Sequence, residues 1–285
     1  WLPISNLFFA IGTPMNERLM YMPSIGFAIL VGAGYGRLDA SMKAYPAWIL
    51  AAVVCVVLGG RTIIRNADWR NDFTLFASAV QVSDSSAKAW FNLGNALRDD
   101  ETTSGALDAY AKAIEIYPGY AEVYYNRGVV YTQRGNLTAA AAAYRSAIQR
   151  DEHHVSALVN LGITLARLGE TDKAIPALKQ ASELASSRAD VFYNLGIVLE
   201  DSDREGAIQA YREALRLRAG YEDAAVNLSL LYMQNGDTER ATAVLGDCLA
   251  VNGKADRAAY NLAVEMERAE RFEDAIGRYR LAWIQ

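Results

Sequence analysis

The sequence predicts an all-α protein in which a short transmembrane helical segment is followed by a solenoid of stacked helix–turn–helix units. Three observations predict it. Six asparagines, Asn92, Asn126, Asn160, Asn194, Asn227 and Asn261, recur at spacings of 34, 34, 34, 33 and 34 residues. A fixed period of that size marks a repeated helical hairpin. The same order of small and bulky residues returns around each asparagine. Ahead of the array lie two uncharged runs of 17 residues each, Leu19–Tyr35 and Ala44–Gly60.

The array comes first because its pattern is the most constrained. Two residues after each asparagine stands a small residue: Gly94, Gly128, Gly162, Gly196, Ser229 and Ala263. Further on, each unit carries a small residue, a bulky one four later and a small one three beyond that, as in Ala106-Tyr110-Ala113, Ala174-Leu178-Ala181 and Ala241-Leu245-Cys248. Small residues let two helices approach, and the bulky one fills the groove between them. A single hairpin cannot bury its apolar face, so neighbours must stack. This pattern resembles the tetratricopeptide-repeat (TPR) family. The resemblance covers residues 87–285, six units, and implies a right-handed superhelix. Turn residues mark unit ends at Pro118-Gly119, Asp151-Glu152, Ala219-Gly220 and Asn252-Gly253. Unit four is one residue short near Asp201–Arg204, which predicts a shorter turn between its helices.

From the start of the chain, Trp1–Ile11 is apolar but too short to cross a bilayer. Leu19–Tyr35 and Ala44–Gly60 reach the lower limit for spanning ~30 Å of hydrocarbon. Tyr21, Tyr35, Tyr45 and Trp48 lie near their ends, where aromatic rings favour the interface. The runs read as two transmembrane helices, the alternative being a soluble hairpin buried against other chain. Beyond Arg61 the character changes. Asp68 is a predicted helix cap, and Trp69, Phe73, Phe76 and Val80 recur at helical spacing. Trp69–Val82 therefore reads as a half-repeat that starts the solenoid. The predicted organisation is a membrane segment 1–60, a junction 61–86 and six TPR units 87–285. Because the sequence opens on Trp1 and stops within unit six, it is expected to be a piece of a longer protein.

Charge narrows the function classes. The chain carries 28 Lys and Arg against 33 Asp and Glu, and the acidic excess falls on the array. That balance argues against nucleic acid as a partner. Cys55 and Cys248 are far apart and read as small buried hydrophobes. His153 and His154 are adjacent on a turn and read as exposed structural residues. No metal site and no cofactor is predicted in this chain.

The stretch around Ser5-Asn6-Leu7-Phe8-Phe9, Glu17-Arg18, Tyr21, Pro23-Ser24 and Gly26-Phe27 resembles the last membrane helices of one family. Arg65-Asn66, Asp68-Trp69 and Leu75-Phe76 continue the match into the repeats. That family is TMTC, the transmembrane and tetratricopeptide-repeat O-mannosyltransferases of the endoplasmic reticulum. The resemblance runs along essentially the whole chain. It implies a parent enzyme with a C-type glycosyltransferase core, dolichyl phosphate mannose as donor and Ser or Thr hydroxyls as acceptors. It also implies luminal TPRs, although the basic residues Arg61, Arg65 and Arg70 mildly favour a cytosolic array. The family's acidic catalytic residues lie upstream of Trp1, so no catalytic residue is assigned here and the chain alone is expected to be inactive.

Candidate binding residues follow from the repeat. A row of carboxamides can donate to and accept from the backbone of an extended peptide, whatever its side chains. The resemblance to the asparagine ladder of O-linked GlcNAc transferase TPRs points the same way. The other reading is that each asparagine bonds a neighbouring helix and serves packing. Phe91, Tyr125, Tyr193 and Tyr260 stand beside the row and add aromatic surface, as peptide-binding surfaces tend to have. The partners expected are acceptor proteins or extended peptides, and membrane lipid. Arg18 and Glu17 are candidates at the lipid donor, with an interfacial helix anchor as the alternative. Asn136-Leu137-Thr138 fits the N-glycosylation pattern on an exposed turn. The competing function is a membrane-anchored TPR scaffold without catalysis, and a further one is a cytosolic adaptor.

Overall fold

The computed structural model describes residues 68–99 and 103–268 and, singly, Val53, Val57, Gly60, Asn66, Asp274 and Ala275. All regular structure among the described residues is helical. The helices are α1 (Asp72–Val82), α2 (Ala87–Asp99), α3 (Thr103–Ile116), α4 (Ala121–Gln133), α5 (Leu137–Ile148), α6 (Val155–Arg167), α7 (Thr171–Leu184), α8 (Ala189–Leu199), α9 (Arg204–Leu217), α10 (Glu222–Gln234), α11 (Thr238–Val251) and α12 (Asp256–Arg268). Within the two units they pair as predicted: α2 with α3, α6 with α7, α8 with α9 and α10 with α11, and α12 opens unit six. The chain divides into two compact units, residues 1–130 and 131–285, and the division falls within α4.

In the first unit α1 packs on α2 and α2 on α3. Val80, Ala89, Leu93 and Ala109 form a buried cluster under α1, flanked by Phe76 and Trp90. A helix thus lies within the stretch expected to be a half-repeat, Trp69–Val82, with a difference at its start. Asn71, not Asp68, caps α1: its side chain accepts from the Thr74 N–H at 2.8 Å, and the Thr74 hydroxyl accepts from the Asn71 N–H. This reciprocal pairing satisfies two donors that a helix end leaves open. Asp68 contributes its backbone carbonyl, which accepts from the Thr74 hydroxyl at 3.0 Å.

In the second unit each helix from α5 to α12 packs on the next. Some first helices also touch one another, α6 against α8 and α10 against α12. The small–bulky rule explains the close approach within each hairpin. A Cβ on Gly162 would lie 2.5 Å from Leu178 Cγ, and one on Gly196 would lie 2.6 Å from Tyr211 Cε1. Only a residue without a side chain lets the bulky partner in there. Cys248 occupies the same small position at the end of its triplet and is buried, as expected.

The turns inside units two, three and five carry Gly135, Gly169 and Gly236 at φ of +72°, +78° and +75°. These are the left-handed positions that end a helix cheaply in glycine. Unit four lacks such a glycine, and its missing residue comes out of the helix rather than the turn. α8 ends at Leu199 after 11 residues, whereas α6 and α10 have 13. Asp203 then caps α9 through the Gly206 N–H at 2.9 Å. His154, expected to be exposed, is half-buried and caps α6, its Nδ1 accepting from the Ala157 N–H at 3.3 Å.

No described helix is long and apolar enough to cross a membrane. The two predicted spans lie outside the described residues except for Val53, Val57 and Gly60, and both valines are exposed.

Candidate functional site

The asparagine row lies on the first helices, but its members are not equivalent. In the first unit Asn92 is half-buried and Asn126 is buried. The Asn126 amide donates to Asn95 Oδ1 at 3.3 Å, and its Oδ1 accepts from Arg98 at 3.2 Å. These bonds join α4 to α2, so Asn126 ties neighbouring hairpins together. In the second unit Asn194 donates to the Asp190 carbonyl of its own helix at 2.8 Å. Its Oδ1 has no partner among the described residues. Asn227 donates to the Tyr211 hydroxyl at 3.2 Å, again joining two hairpins. Asn160 and Asn261 are half-buried. The side chains of Asn92 and Asn261 make no hydrogen bond among the described residues.

The aromatic neighbours divide in the same way. Phe91 packs on Tyr110 and Tyr120, with centroids 6.2 and 5.1 Å away. Tyr193 packs on Tyr211 and Tyr221 at 5.9 and 5.1 Å. Tyr125 is half-buried, while Tyr260 is 50 % exposed on α12. Burial, followed by the charge of Asp223, pushes the Tyr193 phenol above the ordinary tyrosine range. Tyr193 therefore stays a neutral donor at physiological pH.

A polar network absent from the sequence prediction lies beneath this layer. In units one, two and four the bulky residue is a tyrosine that is fully buried, and its hydroxyl finds a partner on the first helix or the turn that follows it. Tyr110 donates to Asn95 Oδ1 at 2.7 Å, Tyr144 bonds the Thr132 hydroxyl at 3.0 Å, and Tyr211 donates to Glu200. Where the bulky residue is Leu178 or Leu245, the positions matching Thr132 and Glu200 hold Ala166 and Met233. A buried hydroxyl without a partner costs about 1–3 kcal/mol, which accounts for the pairing. The signal was present in the sequence as this matched change at two positions.

Charged groups bridge neighbouring hairpins at the start of the first helices. Glu222 Oε1 accepts from the Arg257 and Ala258 N–H groups at 2.7 and 3.1 Å, so α10 supplies the cap of α12. The Arg257 guanidinium pairs with Asp223. Arg188 holds Asp190 in a two-pronged pair at 2.5 and 3.1 Å and keeps its carboxyl below the usual range. Among the described residues no group of His, Cys, Asp and Glu is arranged to hold a metal ion. Asn136 is exposed and caps α5, its Oδ1 accepting from the Ala139 N–H at 3.1 Å. Glu17 and Arg18 lie outside the described residues.

Known proteins agree with this geometry. A mouse protein O-mannosyl-transferase, TMTC3, is 38 % identical over 108 residues, which make up 38 % of this chain and 12 % of that protein. The human TMTC4 protein O-mannosyl-transferase is 36 % identical over 39 % of this chain and 15 % of its own length. The matched stretch thus spans about an eighth of the length of these relatives. Among solved structures, YrrB, described as a TPR protein with an unusual peptide-binding site, has a TM-score of 0.55 at 23 % identity, covering 64 % of this chain and 95 % of its own. The Pseudomonas aeruginosa protein pilF has a TM-score of 0.58 at 24 % identity, covering 68 % and 89 %. At such identities the likeness is one of fold. Tetratricopeptide-repeat profiles match residues 94–133, 120–187, 153–220 and 222–254, more than half of the chain. With TMTC O-mannosyl-transferases among its relatives, the chain belongs to the tetratricopeptide-repeat family.

Proposed function

We propose that the array binds extended polypeptide segments along the layer of first helices, as the acceptor-presenting part of a TMTC-like protein O-mannosyltransferase. The observation that carries this reading is the open part of the asparagine row. In the second unit, among the described residues, Asn194 keeps its carbonyl oxygen without a partner and the Asn261 side chain makes no hydrogen bond. Asn261 offers a donor and an acceptor, and Asn194 an acceptor, to the backbone of a passing peptide. Backbone recognition suits an enzyme with many acceptors, because it ignores the side chains around the hydroxyl to be modified.

The parent would draw mannose from a dolichyl-linked donor in the endoplasmic reticulum membrane, with the array in the lumen. Support comes from the similarity to TMTC proteins, from the two apolar runs before Arg61 and from the exposure of Val53 and Val57. The organisation proposed is the membrane segment 1–60, the junction 61–86 and the array 87–285. This chain carries no catalytic residue in that scheme. Arg18, with Glu17, would face the donor's phosphate as a fixed cation. Asn136 would carry a glycan in the lumen: the sugar bonds Nδ2, and Oδ1 remains free to cap α5.

The test uses the full-length protein with Asn194 and Asn261 both replaced by alanine. Mannose transfer to protein acceptors is expected to fall, while transfer to a short Ser/Thr peptide that cannot reach the array persists. Undiminished transfer to proteins would contradict the reading.

A further inference from the structure

Asn-Gly occurs twice in the sequence, at Asn235-Gly236 and Asn252-Gly253. The dipeptide is reactive because glycine has no side chain to shield its backbone nitrogen. That nitrogen can attack Cγ of the preceding asparagine and close a five-membered succinimide ring. Both pairs follow a helix of the second unit, Asn235 after α10 and Asn252 after α11, yet the structure holds them differently.

At Asn235 both reacting groups are engaged. The Gly236 N–H donates to the Met233 carbonyl at 2.9 Å, within the left-handed turn that ends α10. Asn235 Oδ1 accepts from Arg204 Nη1 at 3.1 Å, which ties the carboxamide to the start of α9. At Asn252 neither restraint applies. Gly253 is exposed, and its N–H makes no hydrogen bond among the described residues. Asn252 Oδ1 accepts from the Lys254 N–H at 3.3 Å, so the carboxamide folds back along the turn that contains the attacking nitrogen. The Lys254 N–H thereby points at the oxygen on which negative charge develops when Cγ is attacked. The other bond of this carboxamide, from Nδ2 to the Gly220 carbonyl, is long at 3.4 Å.

From this contrast we infer that Asn252 is a site of spontaneous covalent modification through a succinimide, and that the fold protects Asn235 from the same reaction. The Gly253 nitrogen gives its proton to hydroxide and bonds to Asn252 Cγ. The Cγ–Nδ2 bond breaks, and Nδ2 takes a proton from water and leaves as ammonia. Water then opens the ring at either carbonyl, leaving aspartate or isoaspartate at this position. Both products lose the Nδ2 donor, so a carboxylate replaces the bond to the Gly220 carbonyl. Isoaspartate also routes the main chain through Cβ, one carbon longer. It does so in a turn whose N–H donates to the Cys248 carbonyl at 2.8 Å and whose carbonyl accepts from the Ala255 N–H at 3.1 Å. That turn joins α11 to α12, and Ala255 is buried with Leu245 and Leu262 in their shared core. Modification therefore loosens α12 from the array.

The test incubates the 285-residue chain in mildly alkaline buffer and follows both sites by peptide mass spectrometry. Trypsin separates them, with Asn235 in residues 219–240 and Asn252 in residues 241–254. A sample digested without incubation corrects for conversion during digestion. Asn252 is expected to convert about tenfold faster than Asn235, which must first open two hydrogen bonds. In the urea-unfolded chain the two rates are expected to converge. Equal rates in the folded chain, faster conversion at Asn235, or a preference for Asn252 that persists undiminished in urea would overturn the inference. Peptide binding plays no part in the reaction, so none of these outcomes bears on the receptor reading.

Discussion

The Asn227 amide donates to the buried Tyr211 hydroxyl at 3.2 Å and so links α10 to α9. The same hydroxyl donates to Glu200, so two hairpins meet at one oxygen. Asn227 is therefore part of the frame, whereas Asn261, at the same place in its unit, makes no side-chain bond among the described residues. Asn227→Ala is expected to destabilise the array by about 1–2 kcal/mol, the cost of removing one bond to a buried partner. Asn261→Ala should stay within about 0.5 kcal/mol of the wild type. Urea midpoints of the two variants check this.

Tyr211 also sets a response to pH. Burial, then the bond to Glu200, pushes its phenol far above the ordinary value of 10.0. The unfolded chain releases this proton near the ordinary value and the folded one does not. The stabilisation is thus fully present below about pH 10 and declines as pH rises beyond it. Tyr193, Tyr221 and Cys248 are displaced upward as well and act in the same direction. Melting temperatures measured from pH 8 to 11 should fall along the alkaline side, and Tyr211→Phe should make that fall shallower.

The pairing of small and bulky residues makes a separate prediction. Gly196→Ala places a methyl group 2.6 Å from the Tyr211 ring, which cannot turn aside because it is fully buried. Overpacking of this kind costs about 1–3 kcal/mol. Gly246→Ala, where an added Cβ meets nothing within 4 Å, is expected to be neutral or slightly stabilising, since it lies within α11. Thermal melts of the two variants give the comparison directly.

Much of this architecture was legible because it repeats. A period fixes which residues face a neighbour, so Gly196 and Tyr211 are recognisable as partners without coordinates. What did not repeat was not legible. Asn126 is drawn into the frame by Asn95 and Arg98, and the corresponding residues in unit three, Ile163 and Ala166, cannot play that part. Glu222 caps α12 from the preceding unit, a bond that no local capping signal announces. Unit four absorbs its deletion by shortening α8, because Asp203 can start α9 without the glycine turn used elsewhere. Asn71 displaces Asp68 as the cap of α1 because Thr74 returns its hydrogen bond.

The central claim is that the open carboxamides of the first helices hold polypeptide backbone. The most direct measurement is the affinity of the chain with Asn194 and Asn261 both changed to alanine for a labelled, extended Ser- and Thr-containing peptide. Helical circular dichroism is recorded alongside it. The account predicts intact helix content with affinity reduced about tenfold. Unchanged affinity in a folded double variant would contradict it.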